Sequence, residues 1–89
     1  MAQRQATIAS SSGLHARPAK LFVQAVQQKP VPVTIAVEGG DDLNASSILS
    51  LMGLGASQGT VVTLKAEGDG AEQALDELVA LLETDLDAE

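Results

Sequence analysis

The chain switches between two hydrophobic periods along its length, and this alternation constrains its fold more than any other feature. Residues 33–37 and 60–67 alternate apolar and polar positions, the period of two that is typical of a half-buried strand. Residues 3–9 alternate more weakly, and Leu43–Asn44 can form a short return strand after the turn at residues 39–42. The pattern therefore predicts four short strands.

Three other segments show the helical period instead. From Ala16 to about Gln28, apolar residues recur on one face, with Pro18 in the first turn, where its missing N–H is tolerated. A short helix follows two adjacent serines, either of which can cap it, and two glycines limit it to about two turns. A third helix is predicted from Ala71 to about Thr84, with an apolar face made by Ala71, Ala74, Leu75, Leu78 and Leu82.

The predicted order β-α-β-β-α-β-α, with short connections, favours a two-layer α+β domain in which helices cover one face of an antiparallel sheet. The same order also suits a ferredoxin-like split βαβ fold. The 89 residues contain no linker and no internal repeat, so we expect a single domain over residues 1–89. Residues 85–89 are expected to form a frayed acidic tail.

Composition and charge exclude several classes of function. The formal net charge is −7, and nine of the twelve acidic residues lie from Glu67 onward, which argues against nucleic-acid binding. The chain has no cysteine, so disulfides and thiolate metal sites are excluded, and Phe22 is its only aromatic residue, so the core must be aliphatic. No apolar run suits a membrane helix or a signal peptide. We therefore expect a cytoplasmic protein without membrane insertion.

The single histidine, His15, lies at the start of the first predicted helix, between a glycine turn and Pro18. Free backbone N–H groups and the positive end of the helix dipole favour an anion at such a position. Arg17 adds a planar guanidinium that suits phosphate oxygens. A neutral imidazole is a nucleophile near pH 7. These features indicate a histidine that accepts a phosphoryl group and holds it briefly.

Other roles for His15 fit the sequence less well. One histidine without cysteine cannot form the usual transition-metal site, so we expect no metal and no cofactor. A Ser-His-Asp hydrolase would need an acid that is not close in sequence, and a larger substrate cleft than so short a chain provides. The general alternative is a structural or simply exposed histidine in a small ligand-binding module.

Two blocks of the sequence resemble one known family. "GLHARPA", residues 13–19, closely resembles the active-site signature of HPr, the histidine-containing phosphocarrier family of the phosphoenolpyruvate-dependent sugar phosphotransferase system. "LNASSILSLMGLG", residues 43–55, resembles the family block in which a serine opens a short helix. Residues 57–82 resemble the last strand and the long C-terminal helix. The resemblance covers nearly the whole chain.

The resemblance implies an open-faced β-sandwich, with a four-stranded antiparallel sheet and three helices on one face. It implies that His15 accepts phosphate at Nδ1 from phosphorylated enzyme I and passes it to the EIIA component of a sugar-specific permease. Arg17 would help to neutralise the phosphate, and Ser12 and the backbone of Ala16 are candidates to contact it. Such a carrier is a shuttling substrate rather than an enzyme, and we expect it to be a monomer.

The second block implies a regulatory site. Ser47 matches the family's regulatory serine in spacing, which makes an HPr kinase/phosphorylase a candidate partner. The family often has a basic residue just before this serine, and here that residue is Ser46. A phosphate on Ser47 would add about two negative charges and would repel an acidic partner.

The second helix carries more apolar residues than two turns can bury. We expect Leu51 and Leu54 to face the sheet, and the remaining apolar side chains to form an exposed patch near His15 that binds partners. That patch would consist of Ile48, Leu49 and Met52. The resemblance implies that partners dock on this helix and on the first one, which adds Lys20 to the partner-binding residues.

Two further expectations concern the electrostatic steering of partners and an alternative, regulatory function. Family members often carry further lysines along the first helix, whereas this chain has glutamines at positions 24, 27 and 28, so electrostatic steering should be weaker. An alternative function is that of an HPr-like regulatory protein, which binds transcriptional or metabolic regulators without a main role in transport. Regulatory relatives can lack the active histidine, whereas His15 is present here.

Overall fold

A computed structural model describes residues 2–11, 13–14 and 16–84, apart from the side chain of Ala16. The described chain has the predicted order of elements. The strands are β1 (Ala2–Thr7), β2 (Val33–Val37), β3 (Leu43–Asn44) and β4 (Val61–Ala66), and the helices are α1 (Ala16–Gln27), α2 (Ile48–Gly53) and α3 (Ala71–Leu82). The tail predicted at residues 85–89 lies outside the described residues.

The strands form one antiparallel sheet in the order β1-β4-β2-β3. Its centre is β4, where Leu64 pairs with Arg4 of β1 on one side and with Ile35 of β2 on the other. Strand β1 differs from the predicted 3–9 in its bounds. Beyond Thr7 the chain no longer pairs with β4, because Ile8 exchanges backbone hydrogen bonds with the turn at residues 59–60 instead.

The core lies between one face of the sheet and the three helices. The sheet contributes alternate residues to it, among them Val33, Ile35, Val62 and Leu64, all at most 2 % exposed. The predicted apolar faces of the long helices are buried as expected: Ala19, Phe22, Val23 and Val26 in α1, and Ala71, Ala74, Leu75, Leu78 and Leu82 in α3. Each buried Leu, Ile or Phe stabilises the fold by about 1.5–3 kcal/mol. The other face of the sheet is open, which confirms the expected open-faced α+β sandwich.

Ion pairs fix α3 to the rest of the domain. Arg4 of β1 donates to Asp76 at 3.0 Å and to Glu72 at 3.4 Å. Lys29, just after α1, is paired with Glu77 of α3, and this hydrogen bond lowers the pKa of the Glu77 carboxyl. The Glu77 carboxylate therefore stabilises the fold above the ordinary glutamate pKa, and this contribution is lost as pH falls through the lowered value. The pairing directs Lys29 towards α3.

Candidate functional site

The segment that leads into α1 is held by backbone hydrogen bonds to two distant parts of the chain. The N–H of Ile8 donates to the Thr60 carbonyl at 2.9 Å, and the Ile8 carbonyl accepts from Gly59 N–H at 2.8 Å. The N–H of Ala9 donates to the Leu82 carbonyl, at the end of α3, at 3.0 Å. The chain therefore leaves β1 along a fixed path, because its backbone groups have partners from the start of the loop.

Gly13 occupies a place that only glycine fits. Its φ of +73° lies in the left-handed region, and a Cβ there would lie against the carbonyl oxygen of Ala56 and 2.8 Å from the Cα of Ser57. The close approach allows Leu14 N–H to donate to that carbonyl at 3.0 Å. Leu14 itself is only 1 % exposed. The residues just before position 15 are therefore fixed against the segment that follows α2.

The start of α1 gives the site its electrostatic character. The helix begins at Ala16, and Pro18 lies in its first turn, as the sequence predicted. The Pro18 side chain is buried. The first turn of a helix has backbone N–H groups without intrahelical partners, and these attract an anion. Arg17 is exposed in the same turn. This end of α1 can therefore contribute amides and a guanidinium to a phosphate.

Several predicted site residues fall outside the description of the structure. Ser12 and His15 lie outside the described residues, and of Ala16 only the backbone is described. The structure does place Arg17, Lys20 and Ser47, together with the apolar residues of α2. The roles of all these residues in phosphate and partner binding stay predictions.

Ser47 is the N-cap of α2, which decides between the two serines that the sequence left open. Its side-chain oxygen accepts from Ser50 N–H at 3.3 Å. Ser46 is engaged elsewhere, because its hydroxyl donates to the Asn44 side-chain oxygen at 2.7 Å. Ser47, which matches the family's regulatory serine in spacing, therefore also caps α2 with its hydroxyl.

The cap should be measurable in the stability of the fold. We expect Ser47→Ala to lower the free energy of unfolding by about 1 kcal/mol, because an orphan N–H of α2 loses its acceptor. Denaturant titration of the two variants Ser47→Ala and Ser46→Ala checks this. Ser46→Ala should cost less, since the Asn44 side chain keeps its bond to the Ser46 backbone N–H. A larger loss for Ser46→Ala would contradict the assignment of the cap.

The apolar residues of α2 divide as the sequence predicted. Leu51 is fully buried and Leu54 packs partly buried against the core. The other three form an exposed cluster, the α2 patch: Ile48 at 39 %, Leu49 at 81 % and Met52 at 42 % exposure. The predicted exposure is confirmed. An apolar patch of this kind on a small domain is typical of a surface that binds other proteins.

Helices α1 and α2 lie side by side and run in opposite directions. At one end the Gln27 side chain of α1 donates to the carbonyl of Ser46, just before α2, at 3.4 Å. At the other end Leu14, just before α1, bonds to Ala56, just after α2. The exposed residues of α1 at helical spacing are Arg17, Lys20, Gln24 and Gln27. This row and the α2 patch together are named the docking face, after the partner binding that the sequence predicts for these two helices.

Charge is distributed unevenly around this face. The sequence has no Asp or Glu in residues 1–37 or 43–66, the stretches that supply α1 and α2. Acidic side chains are instead exposed on α3, among them Glu72, Asp76 and Glu77. The docking face therefore combines apolar and neutral side chains with the two cations of the first turns of α1, in a chain whose net charge is −7.

The sequence interpretation gave no role to the turn at residues 56–60. In the structure this turn holds the loop before α1 through Ala56, Gly59 and Thr60. Gly59 marks a turn in the sequence, but no local pattern indicates which distant loop the turn contacts.

Two absences hold for the described part of the chain: no helix is long and apolar enough to span a membrane, and no cluster of three His, Asp or Glu residues could hold a metal.

The described elements define an open-faced α+β sandwich, and comparison with known proteins assigns it to the phosphocarrier class. The family model for the PTS HPr component phosphorylation site matches residues 2–84. The phosphocarrier protein HPr of Streptomyces coelicolor is 45% identical over 82 residues, covering 92% of this chain and 88% of the relative. The chain belongs to the HPr family of phosphocarrier proteins of the phosphotransferase system.

Solved structures support the same assignment. The crystal structure of HPr-C-His from Thermoanaerobacter tengcongensis matches with a TM-score of 0.90 and 42% identity, covering 100% of this chain and 99% of that one. This match confirms the open-faced sandwich over a plain ferredoxin-like sheet. Crh of Bacillus subtilis, a catabolite repression protein crystallised as a dimer with a swapped domain, matches with a TM-score of 0.74 and 39% identity, covering 96% of this chain and 97% of that one.

Proposed function

We propose that this chain carries a phosphoryl group between two partners in the cytoplasm. It accepts the group at Nδ1 of His15 from phosphorylated enzyme I and passes it to the EIIA component of a sugar-specific permease. The observation that carries the proposal is the loop before α1, where Gly13 and Leu14 are fixed against Ala56 immediately before the helix start. That loop contains the sequence block by which the chain resembles the HPr active site.

The proposed chemistry needs little from the carrier beyond a positioned nucleophile. The neutral imidazole forms a bond to phosphorus as the bond to the donor breaks, and the reverse exchange delivers the group to the acceptor. Arg17 and the amides of the first turn of α1 stabilise the negative charge, together with the hydroxyl of Ser12 and the backbone N–H of Ala16. The carrier is thus a shuttling substrate, and its partners supply most of the catalysis.

The test of this proposal is phosphoryl uptake in a minimal system. The chain is incubated with enzyme I and phosphoenolpyruvate, and an acid-labile adduct of a single phosphoryl group is sought by mass spectrometry. The same assay addresses the second candidate, a regulatory HPr-like protein, which the similarity to Crh favours. A chain with only that regulatory function would bind its target but take no phosphoryl group from enzyme I.

We further propose that enzyme I and EIIA bind the docking face, with Lys20 and the α2 patch in contact. We expect Leu49→Ser to raise the KM of enzyme I for this chain about tenfold, because Leu49 is the most exposed apolar residue of the patch. Stability should change by less than about 0.5 kcal/mol, as is usual at exposed positions. Val61→Ser, at a 43 % exposed residue on the open sheet face, is the matched control. Equal KM values for the two variants would contradict the proposed face.

The composition of the docking face also predicts a weak dependence on salt. Gln24 and Gln27 are neutral, and Lys29 is paired with Glu77, so few charges remain to steer an acidic partner. We expect the second-order rate of phosphoryl transfer to fall by less than about threefold between 50 and 500 mM NaCl, roughly the range over which the Debye length shrinks from over 10 Å to a few Å. A steep fall in that rate would refute this account of docking.

We propose Ser47 as a site of regulation by an HPr kinase/phosphorylase. A phosphate on Ser47 would place about two negative charges beside the α2 patch and oppose the approach of an acidic partner. It would act by blocking docking, since Ser47 lies next to Ile48 in the docking face. A transcriptional regulator is a further candidate partner. We also propose that the carrier is a monomer, with residues 1–89 as one domain.

A further inference from the structure

We infer that Gln58 is a positioning residue for the proposed phosphoryl acceptor, and this inference rests on the proposed function. Its side-chain amide donates to the carbonyl oxygen of Ala9 at 3.2 Å. Ala9 lies in the loop that leads from β1 to His15, whereas Gln58 lies in the turn after α2. The contact therefore joins the proposed acceptor loop to a part of the chain that is distant in sequence.

The Ala9 backbone is held from both sides. Its N–H donates to the Leu82 carbonyl at 3.0 Å, and its carbonyl accepts from Gln58. The next residue, Ser10, is 2 % exposed, and its carbonyl accepts from Gly13 N–H at 2.9 Å. Fixing the Ala9 carbonyl fixes the plane of the Ala9–Ser10 peptide, and this plane sets the direction in which the chain enters the Ser10–Gly13 turn.

The turn that presents Gln58 is itself closed by hydrogen bonds. Thr60 N–H donates to the Ser57 carbonyl at 3.0 Å, and Ser57 N–H donates to the Thr60 side-chain oxygen at 3.1 Å. The backbone of the same turn supplies the bonds to Ile8 and Leu14. Gln58 thus adds a side-chain contact to a rigid support, and a substitution there leaves the backbone contacts in place.

Gln58 acts on the transfer step rather than on docking. The docking face is made by the exposed row of α1 and by the α2 patch, and Gln58 belongs to neither. Loss of the amide donor lets the loop move while the partner still binds the same surface. The acceptor then spends less time in the reactive position, which lowers the turnover rate at saturating partner without changing the KM.

The test uses three variants of the whole chain. Gln58→Met keeps the length of the side chain but removes the donor, Gln58→Lys restores a donor, and Gln5→Met is the matched control on the open sheet face. Amide hydrogen exchange of Gly13 and Leu14 should speed up about three- to tenfold in Gln58→Met, as expected for one lost hydrogen bond. The rate of phosphoryl uptake from saturating enzyme I should fall by a similar factor at unchanged KM. Gln58→Lys should recover most of both losses.

Each outcome decides the matter. Unchanged exchange at both amides in Gln58→Met overturns the inference, and so does faster exchange with an unchanged rate of uptake. A raised KM would assign Gln58 to docking instead and also overturns it. If the wild-type chain takes up no phosphoryl group, the proposed function fails and the positioning role fails with it. The two failures are distinguishable, because the wild-type chain takes up no phosphoryl group only when the proposed function fails.

Discussion

His15→Ala is expected to abolish phosphoryl uptake from enzyme I while leaving the fold intact. Alanine has no nucleophilic nitrogen, and the sequence has no second histidine and no cysteine to take its place. Loss of a nucleophile that no other group replaces lowers transfer by at least about a thousandfold. Uptake is measured with enzyme I and phosphoenolpyruvate, by mass spectrometry under neutral conditions that preserve a phosphoramidate bond.

A matched control separates this loss from unfolding. Thr63→Ala replaces a residue of β4 on the open sheet face and should leave uptake unchanged. The thermal midpoint of His15→Ala should stay within a few degrees of wild type, because the proposal assigns this side chain to phosphoryl transfer rather than to packing. Uptake that persists in a folded His15→Ala chain would show that the phosphoryl group resides elsewhere.

Gly13→Ala is expected to be the most destabilising of the small substitutions considered. The left-handed φ of +73° costs an L-residue about 1–2 kcal/mol. The added Cβ would also press on the backbone of Ala56 and Ser57, which cannot move aside as a flexible side chain would. We expect a total loss of about 3 kcal/mol in the free energy of unfolding. We also expect slower phosphoryl uptake, because the loop before α1 is pushed away from its support.

Gly39 offers a control that separates the cost of the backbone conformation from the cost of the contact made by the added Cβ. It has a similar φ of +78°, but a Cβ there would meet nothing within 4 Å. Gly39→Ala should therefore lose only about 1–2 kcal/mol, the cost of the backbone conformation, and should keep its phosphoryl uptake. Denaturant titration of both variants gives the comparison. Equal losses of unfolding free energy in the two variants would mean that the contact of the added Cβ with Ala56 and Ser57 does not destabilise Gly13→Ala.

Local periodicity was enough to predict the elements and their buried faces. The helical spacing of Phe22 and Leu75 with their neighbours predicted which sides of α1 and α3 enter the core, because burial is the main reason for such spacing. The exposure of Leu49 also followed, since two turns cannot bury five large side chains. These features depend on the residues of a single segment.

Features that depend on pairs of distant segments could not be predicted in this way. The end of β1 at Thr7 is set by the turn at residues 59–60, which captures Ile8. The choice of Ser47 over Ser46 as the cap is a local exception, because Asn44, only two residues earlier, engages the Ser46 hydroxyl, and periodicity does not distinguish two adjacent serines. The support of the proposed acceptor loop by the turn after α2 arises only when the fold is complete.

Phosphorus NMR of the chain after incubation with enzyme I and phosphoenolpyruvate tests whether the phosphoryl group resides on His15. We expect a single phosphoramidate resonance with the chemical shift of an Nδ1-phosphorylated imidazole, which is absent in His15→Ala and disappears when EIIA is added. If an enzyme I that phosphorylates another HPr produces no resonance, or if the resonance survives in His15→Ala, His15 is not the phosphoryl acceptor.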